Sequence, residues 1–322
     1  HILARQDGRL VGAAPAYLKS HSYGEYVFDH SWADALHRIG GRYYPKMQIA
    51  APFTPAPGRR FLTENETVRA ALFEGAILGA QHLSASSAHA TFLTAEEAEA
   101  AAQCGFMRRI GVQYHWDNAG YRNFDDFLAA LSSAKRKNIR KERARACESL
   151  EVRTLRGSEI KPDDWDFFFR CYMDTGARKW GNPYLNRAFF NLLSARLGER
   201  CLLFVAHQDG RAIAAALNLI GGEALYGRYW GAITHVPFLH FELCYYRAID
   251  YAIAHGLARV EAGAQGEHKL LRGYSPTPTY SVHWIAHTGL RDAVGRFLAS
   301  ETPAMVQEIE HLEAYTPYKD AN

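Results

Sequence analysis

Short apolar runs joined by Asp-Gly turns dominate two stretches of the chain. At 202–206 and 212–220 the runs LLFVA and AIAAALNLI flank Asp209-Gly210-Arg211. Glycine accepts the positive φ that a tight turn needs, so a β-hairpin is predicted there. A third strand is expected at 225–232. The segment 239–255 then carries Leu243, Tyr246, Ala248, Ile249 and Ile253 at roughly helical spacing, and Gly256 ends it. Strands are expected again at 259–262 and 279–286. A hairpin followed by strand, helix and strand describes a mixed sheet with helices on its faces.

The same pattern occurs near the start. ILARQDGRLVGAAPAYL resembles LFVAHQDGRAIAAALNL, and Asp7 and Asp209 are 202 residues apart. Further on, Gly105-Phe106 leads to His115-Trp116 as Gly273-Tyr274 leads to His283-Trp284, and these are 168 apart. Two echoes in one order predict an internal duplication, its first copy longer by ~34 residues. The Pro-rich stretch 43–62 is the expected place for the excess. The first copy is expected to have strands at 2–6, 10–18, 25–30, 88–93 and 109–116 and helices at 66–80 and 95–104. Between the copies, Phe124, Phe127, Leu128 and Leu131 form an apolar helical stripe that runs into KRKNIRKER, where six of nine positions are basic. A strand at 151–155 and helices at 165–175 and 187–197 follow. The expected division is an N-terminal domain over 1–120, a basic connecting helix over 121–150 and a C-terminal domain over 151–322.

Composition narrows the class. Of 322 residues, 48% are hydrophobic and 22% charged, a globular balance that excludes a disordered chain. A net charge of +3 gives no argument for nucleic acid from bulk charge. Five cysteines without a CxxC pair argue against a zinc ribbon or a disulfide scaffold, and a reducing cytoplasm is expected. No apolar run approaches the ~18–20 residues of a membrane helix. The sequence opens at His1 inside a strand-like run, so a preceding segment is expected.

This order of elements resembles the Gcn5-related N-acyltransferase (GNAT) fold, α/β with a mixed sheet, present twice. Tandem GNAT-like domains around a charged helix resemble the FemAB family, and the strings PAYLKSHSYGEYVFDHSWADA, YYPKMQIAAPFTPAPGRR, QYHWDNAGYRNFDDFL, LHFELCYY and EAGAQGEHKLLRGYSP resemble its FemAB-like group of N-acyltransferases. The last string carries Glu261, Gly263, Lys269 and Gly273, with His268 where the family usually has Phe. The resemblance implies transfer of an acyl or aminoacyl group from an activated donor to an amine. It implies acyl-CoA or aminoacyl-tRNA as co-substrate rather than a tightly bound cofactor, and a small-molecule or peptide amine as acceptor. The alternative is a non-catalytic binding protein for a cell-wall precursor or peptide.

Acyl transfer to an amine needs a base and an oxyanion donor. Glu261, Glu267 and His268 are candidate bases. Lys269 is the candidate donor, a role the resemblance also implies, and Gln265 and Arg272 lie in the same segment. Arg228, Tyr229 and Trp230 stand where GNAT proteins lay the acyl donor along a splayed strand. His240 and Glu242 lie near the start of the next helix. The Gly-rich pyrophosphate loop that GNAT enzymes using coenzyme A place there is absent from HVPFLHFE, which puts coenzyme A in doubt. In the basic run, Arg136 and Arg140 are candidates for a phosphorylated donor, against the reading of a solvated face. The stretch 178–184 is a weaker cleft-lining candidate. His283 and His287 lack a third ligand, so no metal is expected.

Overall fold

The computed structural model describes residues 1–179, 183–263 and 266–319. In chain order its elements are β1 (Ile2–Gln6), β2 (Arg9–Ala14), β3 (Ala16–Lys19), α1 (His30–Arg38), β4 (Lys46–Ile49), α2 (Glu66–His82), β5 (Ser87–Leu93), α3 (Ala95–Gln103), β6 (Met107–Asp117), α4 (Phe124–Ala130) and α5 (Ser133–Cys147). They continue as β7 (Glu151–Arg156), α6 (Pro162–Lys179), α7 (Arg187–Leu197), β8 (Cys201–Gln208), β9 (Arg211–Ile220), β10 (Ala224–Ala232), α8 (Leu239–Phe241), α9 (Arg247–Ala254), β11 (Arg259–Glu261), β12 (Ser275–Ile285) and α10 (Thr288–Glu313).

The two hairpins match residue for residue. Asp7 and Gly8 have φ of 50° and 77°, and Asp209 and Gly210 have 49° and 74°, so both two-residue turns use the left-handed region at both positions. Each hairpin also shifts register at the same distance from its turn, at Ala4/Arg5 and at Ala206/His207. The second echo is equally close. Gly105 (φ 90°) and Gly273 (φ 88°) each precede an 11-residue strand, β6 and β12. The fold is a tandem GNAT-like α/β architecture.

Two compact units form, one from residues 1–113 with 277–311 and one from residues 114–276 with the chain from Leu312 onward. This division differs from the expected boundaries at 120 and 150 because the last strand of each copy pairs in the other copy's unit. In the first unit the strand order is β3-β4-β5-β12, with β4 and β5 parallel. In the second it is β7-β8-β9-β10-β11-β6, with β10 and β11 parallel. Both faces of this second sheet are covered. Leu202, Phe204 and Ala206 of β8 face Leu243, Tyr246 and Ile249, while Leu203 and Val205 face Phe168 and Phe190 of α6 and α7. A strand buried on both sides reads as an unbroken apolar run, which is why β8 and β9 stand out in the sequence. Gly231 is needed where α6 crosses β10, since a Cβ there would lie 2.2 Å from the Cys171 carbonyl oxygen.

Three elements depart from the expectation. The run expected as strand 10–18 breaks at Pro15, which lacks an N–H for the ladder. No strand forms at 25–30. Tyr26 takes φ 56° and α1 begins at His30. The missing strand is β4, inside the stretch expected as a Pro-rich loop, and its Lys46 and Gln48 are fully buried. Lys46 Nζ donates to Glu25 at 2.6 Å and to Asp29 at 2.5 Å, so the turned segment 25–29 supplies the acids that neutralise it. Burial alone would raise the Asp29 carboxyl, but His89, charged only in the acid range where Asp29 titrates, and the Lys46 ammonium outweigh it and hold Asp29 well below the usual carboxylate range.

A hydrogen-bonded chain extends inward from there. Tyr43 donates to Asp29 at 2.8 Å, His89 Nε2 lies 3.2 Å from the Tyr43 hydroxyl, and the Nδ1 atoms of His89 and His283 are 2.7 Å apart. Burial depresses the His89 pKa to about 3 and that of His283 well below its ordinary value, so both rings are neutral. A neutral imidazole has one N–H, so one Nδ1 donates and the other accepts.

Candidate active site at the splay of β10 and β11

Strands β10 and β11 pair in parallel over only three positions, Ala224–Tyr226 with Arg259–Glu261. Strand β11 then stops while β10 runs on to Ala232. Strand β10 also bulges. Its pairing with β9 skips from Gly227 to Tyr229, leaving Arg228 as the extra residue, and such a bulge bends a strand and sharpens its twist. The two departures open a cavity of about 170 Å³, lined among others by Arg228, Tyr229, Trp230, Tyr245 and Gly263. Of the expected donor-strand residues, all three are therefore brought to one cavity. The Arg228 guanidinium lies over the Tyr229 ring at 4.6 Å, and the Tyr229 and Tyr184 hydroxyls are 2.6 Å apart.

The opposite wall comes from the helix after β10. Between α8 and α9 the backbone makes a single π-turn over Glu242–Tyr246. Five-residue spacing then places His240 and Tyr245 on one face, their rings 5.3 Å apart, with Cys244 beside them on the cavity wall. The Tyr245 hydroxyl is 2.8 Å from His268 Nε2, and burial keeps its proton on far above the ordinary tyrosine range. Sequence reading missed Tyr245, because an α-helical period turns it, five residues on, away from His240; Cys244, four residues on, shares the face of His240 under either period and was also missed. Single π-turns occur often at functional sites.

Lys269 sits on a 3₁₀ turn, Glu267–Arg272, and is 1% exposed. Its Nζ donates to the Gly263 carbonyl at 2.8 Å, so the ammonium lies directly behind a residue of the cavity wall. Burial lowers its pKa to about 8. Nearby, Glu261 Oε1 accepts from Arg259 at 2.8 Å, while its Oε2 is 3.9 Å from His115 Nε2 and, among the described residues, has no hydrogen-bond partner. Burial raises the Glu261 pKa against the pull of Arg259, and burial lowers that of His115 to about 4.

The other candidates lie elsewhere. Both Glu242 oxygens accept from arginines, Arg143 at 3.0 Å and Arg247 at 2.8 Å, away from the cavity lining. Arg272 donates to Glu142 at 2.9 Å, and its guanidinium lies 3.4 Å from the centre of the Phe241 ring. Glu267 is exposed. Helix α5 therefore divides: Glu142 and Arg143 turn inward, whereas Arg140 is exposed and pairs with Asp125 at 2.9 Å, and Arg136 is half-buried. Gln265 and part of the stretch 178–184 lie outside the described residues. Among the described residues, no group of three or more His, Cys, Asp or Glu is placed to hold a metal ion, and no helix is long and apolar enough to cross a membrane.

Among solved structures, FemX and L-PGS from Bacillus licheniformis share this fold. FemX is 14% identical over 91% of this chain and 89% of its own, with a TM-score of 0.57. L-PGS from Bacillus licheniformis is 9% identical over 81% of this chain and 83% of its own, with a TM-score of 0.56. No curated protein matches the sequence significantly. A family model does match, over residues 1–320, and its family is described by peptidoglycan biosynthesis or recognition. Since that match takes in both copies of the fold and the cavity at the β10 bulge, the chain belongs to the FemAB-like family.

Proposed function

We propose that the protein is an N-acyltransferase that moves an acyl or aminoacyl group from an activated ester or thioester to an amine, without a covalent enzyme intermediate. The observation that carries this reading is the cavity where β10 bulges and β11 ends, lined by the buried Tyr245 and backed at Gly263 by the buried Lys269. In the proposed reaction the acyl carbonyl lies along 228–230, the amine attacks it to form the C–N bond, and the tetrahedral intermediate collapses by breaking the donor's C–O or C–S bond, releasing its alcohol or thiol. Tyr245 passes the amine proton to the exposed His268 through their hydrogen bond. The Lys269 charge behind Gly263 stabilises the negative charge that develops on the acyl oxygen. A fixed charge in a partly dehydrated site does this more than it stabilises the neutral ground state.

An adjoining hollow of about 440 Å³ shares Trp230 and His240 with the cavity and is otherwise walled mainly by Val236, Phe238, Leu239 and Phe241. Its lining supports an apolar portion on the donor or acceptor, and offers no cradle for a pyrophosphate. An aminoacyl-tRNA or another ester donor therefore fits better than coenzyme A, with Arg136 and Arg140 as its proposed phosphate contacts. The proposed acceptor is a peptide or small-molecule amine of the kind a peptidoglycan precursor presents.

The test is product formation. The protein is incubated with acyl-CoA thioesters or with charged tRNA, plus peptide amines, and products are read by mass spectrometry. A new amide that is lost in Tyr245→Phe supports the reading. Tight peptide binding with no product from any donor would favour the non-catalytic alternative.

A further inference from the structure

The hollow beside the cavity at the β10 bulge lies where β10 ends and α8 begins. Its volume of about 440 Å³ falls within the ~300–1,000 Å³ of small-ligand sites, far more than a methyl group needs. Trp230, Phe238, His240 and Phe241 wall it with four rings, and Ala232 between them leaves the space open. Among its described lining residues none is Asp, Glu, Lys or Arg. An ionised group would lose its hydration there without gaining a charged partner, whereas an aromatic group would gain edge-to-face contacts with the rings.

One wall is held against backbone strain. Phe238 takes φ 65° and ψ −1°, in the left-handed region that glycine enters freely and a bulky residue rarely does. Its carbonyl accepts from the Glu242 N–H at 3.0 Å, which pins that backbone. The ring is thereby set into the lining of the hollow, its centre 6.3 Å from that of Phe241. A bulky residue kept in this conformation with its side chain on a cavity wall points to a role for that side chain in binding.

Tyr245 decides which part of the substrate enters. In the proposed reaction it receives the amine proton, and it lines the cavity but not the hollow, so the amine stays on the cavity side. Trp230 and His240 line both spaces, so the hollow adjoins the proposed seat of the acyl carbonyl. It therefore receives the group attached to that carbon. An aminoacyl ester branches one carbon from its carbonyl, which lets its side chain turn into the hollow. We propose that the hollow selects an aminoacyl donor with an aromatic side chain, and that Ala232 and Phe238 determine this specificity. The proposal rests on the transfer reading for the side of the carbonyl that enters.

The test compares unreactive donors on the whole protein: amide-linked phenylalanyl-, alanyl- and lysyl-adenosine, with Kd read by NMR titration. The phenylalanyl probe should bind at least about tenfold more tightly than the alanyl probe, since it buries a ring where the other buries a methyl group. The lysyl probe should bind no more tightly than the alanyl one. Ala232→Phe fills the hollow and should bring the phenylalanyl probe to within about threefold of the alanyl probe. Phe238→Gly should reduce the same preference, and it reads the ring's role even if Ala232→Phe does not fold, because Gly adopts this backbone freely. Equal affinities of the phenylalanyl and alanyl probes would overturn the proposal. So would a lysyl probe as tight as the phenylalanyl one, a preference that survives these substitutions, or no phenylalanyl binding up to ~10 mM. The transfer reading fails separately, in the product assay, and selective binding without any product would count against it alone.

Discussion

His89 in the first unit stands where Glu261 stands in the second, each opposite a buried histidine on the neighbouring antiparallel strand, His283 and His115. The chemistry at this shared position differs. His89 is locked in a neutral chain with Tyr43 and His283, whereas Glu261 keeps one oxygen without a partner among the described residues. In the proposed reaction Glu261 positions Arg259, and Tyr245 and His268 carry the proton.

Substitutions separate those roles. Gln at 261 still accepts from Arg259, so Glu261→Gln should lower the transfer rate less than tenfold, under about 1.4 kcal/mol of barrier. Tyr245→Phe should lower it about 10²-fold or more. Steady-state kinetics with both variants checks this. Equal losses would move the base to Glu261.

Lys269 gives a pH dependence with two opposite signs. Its folded pKa of about 8 lies below the ordinary 10.5. As pH rises through about 8 the folded protein loses this proton while the unfolded chain keeps it. Stability relative to Lys269→Met should therefore rise between pH 8 and 10.5, by on the order of 3 kcal/mol. Over the same window the transfer rate should fall, because the stabilising charge is lost. Urea unfolding and initial rates across this range check both.

The buried charges around Lys46 predict a steep stability loss. Lys46→Met leaves Glu25 and Asp29 buried without their shared cation, which should cost about 3–5 kcal/mol. Adding Glu25→Gln and Asp29→Asn should recover much of it. Chemical denaturation of the single and triple variants checks this.

Helix α5 should split into two behaviours. Glu142→Gln removes the carboxylate that Arg272, 7% exposed, depends on, and should cost about 1–3 kcal/mol. Arg140→Gln breaks only an exposed pair and should change stability by less than about 1 kcal/mol. If Arg140 contacts a phosphorylated donor, the same variant should weaken donor binding and flatten its salt dependence. Thermal melts and binding titrations at two salt concentrations separate the two.

The hairpins, the duplication and the strand bearing Arg228–Trp230 were legible because Asp-Gly turns and doubly buried strands leave strong local patterns. Strand β4 was not, since a four-residue strand containing Lys46 and Gln48 looks polar until Glu25 and Asp29 are brought to it from 17 or more residues away. Tyr245 was hidden by the π-turn, which shifts the helical face by one residue. The exchange of β6 and β12 between units depends on long-range pairing that no local pattern encodes. Lys269 was legible as a residue, but its bond to Gly263, which places the charge behind the wall, was not.

In the proposed reaction the acyl carbonyl lies at the β10 bulge. A crystal structure with a slow-reacting donor tests it most directly, using a thioether analogue of an acyl-CoA in one soak and an amide-linked aminoacyl-adenosine in another. The aminoacyl-adenosine should bind with its carbonyl carbon beside 228–230 and within hydrogen-bond reach of the Tyr245 hydroxyl. Ordered binding of that probe with its carbonyl elsewhere, and Tyr245 facing only protein, would contradict it.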